Sequence, residues 1–219
     1  MKRRFDMIIF DLDGTLVDTF RDVSKGINHA VRKMGRAELD ESAVKSAIGP
    51  GGDDFLRAVL PDGNESDENI FLEYFRSYYD EHCLDSTRPF LGIPQIFDKF
   101  SGCTLTVATN KPIRHAGRIL TGLDLMDFFS AVQTPDNGVK EKPHPEMVLS
   151  LVEKFNVKKE RTLLVGDTVK DLEAGKNAGV KVCGARYGYG DIESISEFMP
   201  DFMIDSPSEL VNVVLESSN

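Results

Sequence analysis

Cysteine is scarce in this 219-residue chain: Cys83, Cys103 and Cys183 stand far apart, with no C-x-x-C pair and no zinc-like spacing. Their odd number argues against a disulfide scaffold, so apolar burial has to build the core. Basic charge is the minority sign, 26 Lys and Arg against 36 Asp and Glu, for a formal net charge of −10. A general nucleic-acid binder carries a basic face to meet phosphates, and this balance suggests none. No apolar stretch reaches membrane-spanning length, and the run in "MKRRFDMIIFDLDG" is cut by aspartates too early for a signal peptide. Repeats and low-complexity segments are missing as well. The expectation is a cytoplasmic protein without nucleic-acid or membrane partners, monomer or homodimer left open, long enough for one α/β domain and a small second one.

What is present falls into two kinds of segment. "FDMIIF" (5–10), "TLTVATN" (104–110), "TLLVGDT" (162–168), "KVCGARY" (181–187) and "FMIDS" (202–206) read as buried strands. Helical patterns lie between them at 112–121, 144–154 and 171–179. Strands alternating with helices predict a doubly wound parallel sheet, a Rossmann-like core covered on both faces. Residues 19–85 differ: helix-like periods at 20–34, 40–48, 52–60 and 67–81 run without a convincing strand. The expected organisation is an α/β catalytic core from 1–18 and 86–219, with an all-helical cap of 19–85 inserted after the first strand.

The first strand ends in acid, "FDLDGTLVD" (10–18). Buried carboxylates are costly unless paired or bound to a cation. Open α/β sheets bind ligands beyond the carboxyl ends of their strands. Asp11 and Asp13, Thr109 and Asn110, Asp167 with Asp171, and a lysine at 140 or 142 all fall at such places. Together they fit phosphoryl transfer. Asp11 is the candidate nucleophile, forming an aspartyl-phosphate. Asp13, one strand alternation away, is the candidate acid and base. Asp11 and Asp167 suit Mg²⁺, which one or two carboxylates commonly hold. Thr109 and the backbone around Asn110 are candidate phosphate holders, the lysine neutralises developing charge, and Gly14 allows close backbone approach. Each residue alone has a plain alternative as a cap, a turn or a solvated charge; their joint placement carries the reading.

"DLDGTLVD" (11–18), "TN" (109–110), "KP" (142–143) and "GDTVKD" (166–171) resemble, in order, the four motifs of the haloacid dehalogenase-like phosphohydrolases. The resemblance implies Mg²⁺, Asp11 as nucleophile, Asp13 as acid/base with its carbonyl on the metal, and Thr109 on the phosphate. It also implies Lys142 as the lysine, Asp167 as metal ligand and Asp171 as support for metal waters or the lysine. Dehalogenating members lack the second aspartate of the first motif, so Asp13 points to phosphate esters of small metabolites. "TNKP" (109–112), "KPHP" (142–145) and "YGYG" (187–190) are similar to the phosphoglycolate phosphatases, and 19–85 to the helical cap of one subgroup. "IGPGGDDFL" (48–56) resembles the cap's substrate loop, with Gly51 as a candidate substrate contact. Asp18 reads as a hinge residue. Alternatives are a phosphosugar mutase, disfavoured by "TFRDV" (19–23) where its hinge carries histidine, a pyrophosphatase, and a non-catalytic binder on the same scaffold.

Overall fold

The structure, a computed structural model, describes residues 3–48 and 52–215. It divides into two compact units, Met1–Val17 with Pro89–Asn219, and Asp18–Arg88. The first unit holds a six-stranded parallel sheet. In chain order the protein runs through β1 (Met7–Phe10), β2 (Val17–Asp18), α1 (Phe20–Lys33), α2 (Glu41–Ile48), α3 (Gly52–Val59) and α4 (Glu65–His82). It continues through β3 (Arg88–Pro89), α5 (Ile93–Phe97), β4 (Thr104–Ala108), α6 (Ile113–Gly122) and β5 (Ala131–Gln133). The last elements are α7 (Glu146–Lys154), β6 (Thr162–Gly166), α8 (Val169–Ala178), β7 (Lys181–Ala185), α9 (Ile192–Glu197), β8 (Phe202–Ile204) and α10 (Leu210–Val214).

The strand order is β5-β4-β1-β6-β7-β8, and every pair in it is parallel. The chain therefore winds outward from β1 in both directions, the doubly wound arrangement the alternation predicts. β1 is fully buried because both faces are covered. Side chains alternate along it. Met7 and Ile9 join Met147, Val148 and Leu151 of α7 and Leu172 of α8 in one core cluster. Phe10, one residue out of phase with Ile9, meets Phe97 and Phe129 edge-on at 5.9 and 6.2 Å.

The strand patterns at 5–10, 104–110, 162–168, 181–187 and 202–206 all contain strands, but β5 escapes the pattern. It is three half-buried residues at the sheet edge, too short to show a period. Short α5, α9 and α10 escape for the same reason, with five, six and five residues.

In the second unit, α1 and α4 carry the core. α1 buries Val23, Gly26, Ile27, Ala30 and Val31, and α4 buries Phe71 and Tyr79. Gly26 is a close-approach site: a Cβ there would meet Phe75 at 2.9 Å. Phe75 stacks on Phe71 and Tyr79 at 5.8 and 5.1 Å. α4 starts at a capping box, Asn64 with Asp67. No strand other than the single terminal residues of β2 and β3 lies in this unit among the described residues. Asp18 Oδ1 accepts from Phe20 N at 3.1 Å, which satisfies an orphan donor at the start of α1.

Candidate active site

β1 places the first carboxylate. Asp11 N donates to Val165 O at 2.9 Å, continuing the ladder one residue past the strand, so Asp11 is held where β1 stops beside β6. β6 ends one residue before Asp167. α8 is then capped by Thr168, whose side chain and Asp171 form a reciprocal capping box. The loop before α7 brings in Lys142.

These four side chains converge. Lys142 Nζ donates to Asp11 Oδ1 and Asp171 Oδ1, both at 2.6 Å, and to Ala108 O at 2.8 Å. Asp171 Oδ2 accepts from Thr168 Oγ1 at 2.6 Å and Thr168 N at 3.0 Å. Asp171 thus caps a helix and orients the lysine at once. Asp167 Oδ1 accepts from Thr15 Oγ1 at 2.9 Å, and Oδ2 from Tyr189 N at 2.8 Å. Ligand oxygens of Asp11, Asp167 and Asp171, all buried, lie within 4.8 Å of one another.

The electrostatics follow from that crowding. Burial, with the Asp171 and Asp13 charges, pushes Asp11 up to about 7 against the opposing pull of Lys142. Burial and the charges of Asp171 and Asp11 raise Asp167 to about 8, though Tyr189 and Thr15 oppose it. Burial works against the Lys142 ammonium, but Asp11 and Asp171 outweigh it and hold the group above the ordinary lysine range. Three buried carboxylates face one ammonium, so the ionised cluster is short of positive charge. Hard oxygen donors in this number fit a divalent cation. The backbone leaves room for it: Gly14 has φ +81, and a Cβ there would lie 2.2 Å from Asp167 Oδ2. Gly188 makes the same approach from the other side, where a Cβ would lie 2.3 Å from Asp167 Cβ.

Asp13 stands apart from this cluster. Its Oδ1 and Oδ2 accept from Lys111 Nζ at 3.0 and 3.1 Å. Thr109 is buried, donates its N–H to Gln133 O at 3.0 Å and accepts from Lys111 N at 3.2 Å. Asn110 uses its side chain as a clamp: Nδ2 donates to Lys142 O at 3.0 Å and Oδ1 accepts from Lys142 N at 2.8 Å. Asn110 therefore fixes the lysine loop, a task its expected phosphate contact does not include. The two candidate lysines separate cleanly. Lys142 is 4% exposed and inside the cluster, while Lys140 is exposed. Gly51 lies outside the described residues.

Thr15, Lys111 and Tyr189 were not among the expected site residues. Thr15 and Lys111 sit inside or beside the quoted motifs "DLDGT" and "TNKP", and their chemistry is ordinary side-chain hydrogen bonding. Tyr189 acts through its backbone N–H, which side-chain chemistry cannot reveal.

A family model for haloacid dehalogenase-like hydrolases matches residues 8–185. The chain is 34% identical over 210 residues to a phosphoglycolate phosphatase of Aquifex aeolicus, covering 95% of this chain and 96% of that protein. It is 33% identical over 220 residues to an N-acetylmuramic acid 6-phosphate phosphatase of Pseudomonas aeruginosa, covering 98% and 97%. A crystal structure of a predicted phosphoglycolate phosphatase from Haemophilus somnus superposes with a TM-score of 0.90 at 30% identity, covering 96% of this chain and 98% of that one. With the buried aspartate cluster at the ends of β1 and β6, these matches make the chain a phosphatase-type hydrolase, and it belongs to the haloacid dehalogenase-like hydrolases.

Proposed function

We propose that the protein is a Mg²⁺-dependent phosphatase that hydrolyses a small phosphate monoester, with phosphoglycolate the first substrate to test. The observation that carries this reading is Lys142 Nζ at 2.6 Å from both Asp11 and Asp171, with Asp167 in the same buried group. The relatives named above act on phosphoglycolate and on N-acetylmuramic acid 6-phosphate, both phosphate esters of acids.

In this proposal an Asp11 carboxylate oxygen attacks phosphorus while the ester P–O bond breaks, and Asp13 gives its proton to the departing oxygen. Asp13 then takes a proton from water, the water oxygen attacks the aspartyl-phosphate, and Asp11 is released with inorganic phosphate. Thr109 holds phosphate oxygens. Lys142 fixes the Asp11 rotamer and balances charge developing on the phosphoryl group. Asp11 and Asp167, with the Asp13 carbonyl, would hold Mg²⁺, which supplies charge neutralisation between the carboxylate and the phosphate dianion. Asp171 keeps Lys142 in place.

Phosphate release is measured with Mg²⁺ on phosphoglycolate, N-acetylmuramic acid 6-phosphate, pyrophosphate, phosphosugars and nucleotides. Asp11→Asn is expected to lower kcat at least about 10³-fold with folding retained. Near-normal release by that variant would overturn the mechanism. Phosphosugar isomerisation without phosphate release would replace the phosphatase reading with a mutase.

A further inference from the structure

The reaction as proposed has no task for "YGYG" (187–190). The sheet is parallel, so the chain leaving β7 emerges at the same rim as Asp11 after β1 and Asp167 after β6. Three of the four residues close on Asp167. Tyr189 N donates to Asp167 Oδ2 at 2.8 Å. Gly188 and Gly190 pass so near that a Cβ on either would overlap Asp167, at its Cβ and at its carbonyl oxygen. Tyr187 turns to other partners. Its hydroxyl donates to Thr15 O at 3.0 Å, and its ring meets Phe90 edge-on at 5.0 Å. Both anchors are themselves tied. Phe90 N donates to Leu16 O at 3.1 Å, and Thr15 Oγ1 donates to Asp167 Oδ1 at 2.9 Å. A ring of contacts therefore runs from Asp167 to Thr15, on to Tyr187, and through the 187–189 backbone to Asp167 again.

We infer that Tyr187 is a positioning residue for the cation site: it latches segment 187–190 onto Thr15 and Phe90, and the latch holds the Tyr189 N–H against Asp167. The inference rests on the cation assignment in the phosphatase reading above and adds to it a residue that acts only through others. A backbone N–H in a loop stays where it is only if something holds the loop. No helix or strand does so between Ala185 and Ile192 among the described residues. Gly188 and Gly190 permit the close approach, but glycine is the least restrained residue and cannot enforce it. Packing against Phe90 needs only the ring of Tyr187. The hydroxyl adds the bond to Thr15, whose side chain is the other donor to Asp167. Both donors to Asp167 thus depend on one junction, Thr15 directly and Tyr189 N through Tyr187. Groups that orient a metal ligand in this way set metal affinity without touching the metal.

The test is Tyr187→Phe, which keeps the ring and removes only the hydroxyl. Mg²⁺ affinity is read by calorimetric titration of the full chain without substrate. It is expected to weaken about fivefold, the scale of one neutral hydrogen bond. Hydrogen exchange at the Tyr189 amide, followed by NMR, should quicken while the amides of β1 and β6 keep their wild-type rates. At saturating Mg²⁺, kcat for phosphate release should return to within about twofold of wild type. A general loss of structure would depress kcat at every Mg²⁺ concentration, so a kcat that stays low at saturation overturns the inference. Phe90→Leu removes the other half of the latch and should weaken Mg²⁺ binding in the same direction, which carries the test if Tyr187→Phe does not fold. Wild-type Mg²⁺ affinity in the folded variants overturns the inference and leaves the phosphatase reading standing. A wild type that binds no Mg²⁺ overturns the cation assignment and this inference together. Phosphate release from none of the substrate panel, with the titrations as expected, overturns the phosphatase reading alone.

Discussion

Each unit of the protein buries aspartate, and the two burials have opposite electrical consequences. In the helical unit Asp22 is fully buried on α1. Its Oδ2 accepts from Ser86 N, Thr87 N and Thr87 Oγ1 at 2.7, 2.8 and 2.9 Å, and Lys25 Nζ lies 3.6 Å from Oδ1. Burial alone would raise its pKa, but those hydrogen bonds outweigh it and hold the carboxyl below its ordinary value. In the α/β unit Asp11 and Asp167 are buried as well, yet both are raised, chiefly by that burial and then by the carboxylates that crowd them, which their hydrogen bonds do not outweigh. Three donors from the chain itself satisfy Asp22 Oδ2. Those around Asp11 and Asp167 leave the ionised cluster short of positive charge, which is the condition of a site built to receive a cation. The difference separates a carboxylate that ties a fold together from carboxylates kept for chemistry.

The largest effect is expected where the structural carboxylate is removed. Asp22→Ala strips three donors of their acceptor and should cost about 3 kcal/mol of unfolding free energy. Urea denaturation with and without Mg²⁺ should show the same loss in both conditions. Stability equal to wild type would break the contrast, because it would mean that Asp22 ties nothing.

Next comes the pH dependence of the cation's effect. Asp11 and Asp167 have raised values near 7 and 8, so metal-free they are tolerated best when neutral. Their contribution to stability is fully present below the ordinary carboxylate range and is lost as pH rises through those values. A divalent cation binds the ionised forms. The rise in Tm on adding Mg²⁺ should therefore grow from pH 5 to pH 8, by the equivalent of about 2 kcal/mol. A Tm increment that is flat or larger at pH 5 would count against cation binding at this cluster. The same series on Asp22→Ala sharpens the comparison, since its pH trend should match wild type.

The smallest effect tests the orientation of one ligand. Thr15→Val removes the hydroxyl that donates to Asp167 Oδ1 while keeping the side-chain shape. Mg²⁺ affinity, read from calorimetric titration, should weaken about tenfold, with the fold unchanged by circular dichroism. Affinity equal to wild type would show that Tyr189 N holds Asp167 unaided.

Several parts of this site are legible in the sequence because they are local. Asp11 stands at the end of an apolar run, and Asp167 stands likewise after "TLLVG". An acid directly after a fully buried strand is a chemical anomaly that needs no coordinates to notice. The parallel sheet is legible as well, since strand and helix periods alternate along the chain. Gly51, the expected substrate contact of the helical unit, lies outside the described residues.

What the sequence determined by itself is the set of strand-end groups and the parallel α/β alternation that brings them to one rim. Periodicity and polarity are properties of neighbouring residues, and they survive without knowledge of the fold. Only the tertiary structure decided which partner each group takes. Lys140 and Lys142 differ by two positions in one loop, yet one is exposed and the other is locked between Asp11 and Asp171, 131 and 29 residues away. Asn110 clamps that loop's backbone, Thr15 reaches Asp167 across 152 residues, and Lys111 closes on Asp13. Hydrogen bonds and charge pairs act over about 3 Å. Distances of that size between remote segments exist only once the sheet has set the register, so pairing at this site belongs to the fold.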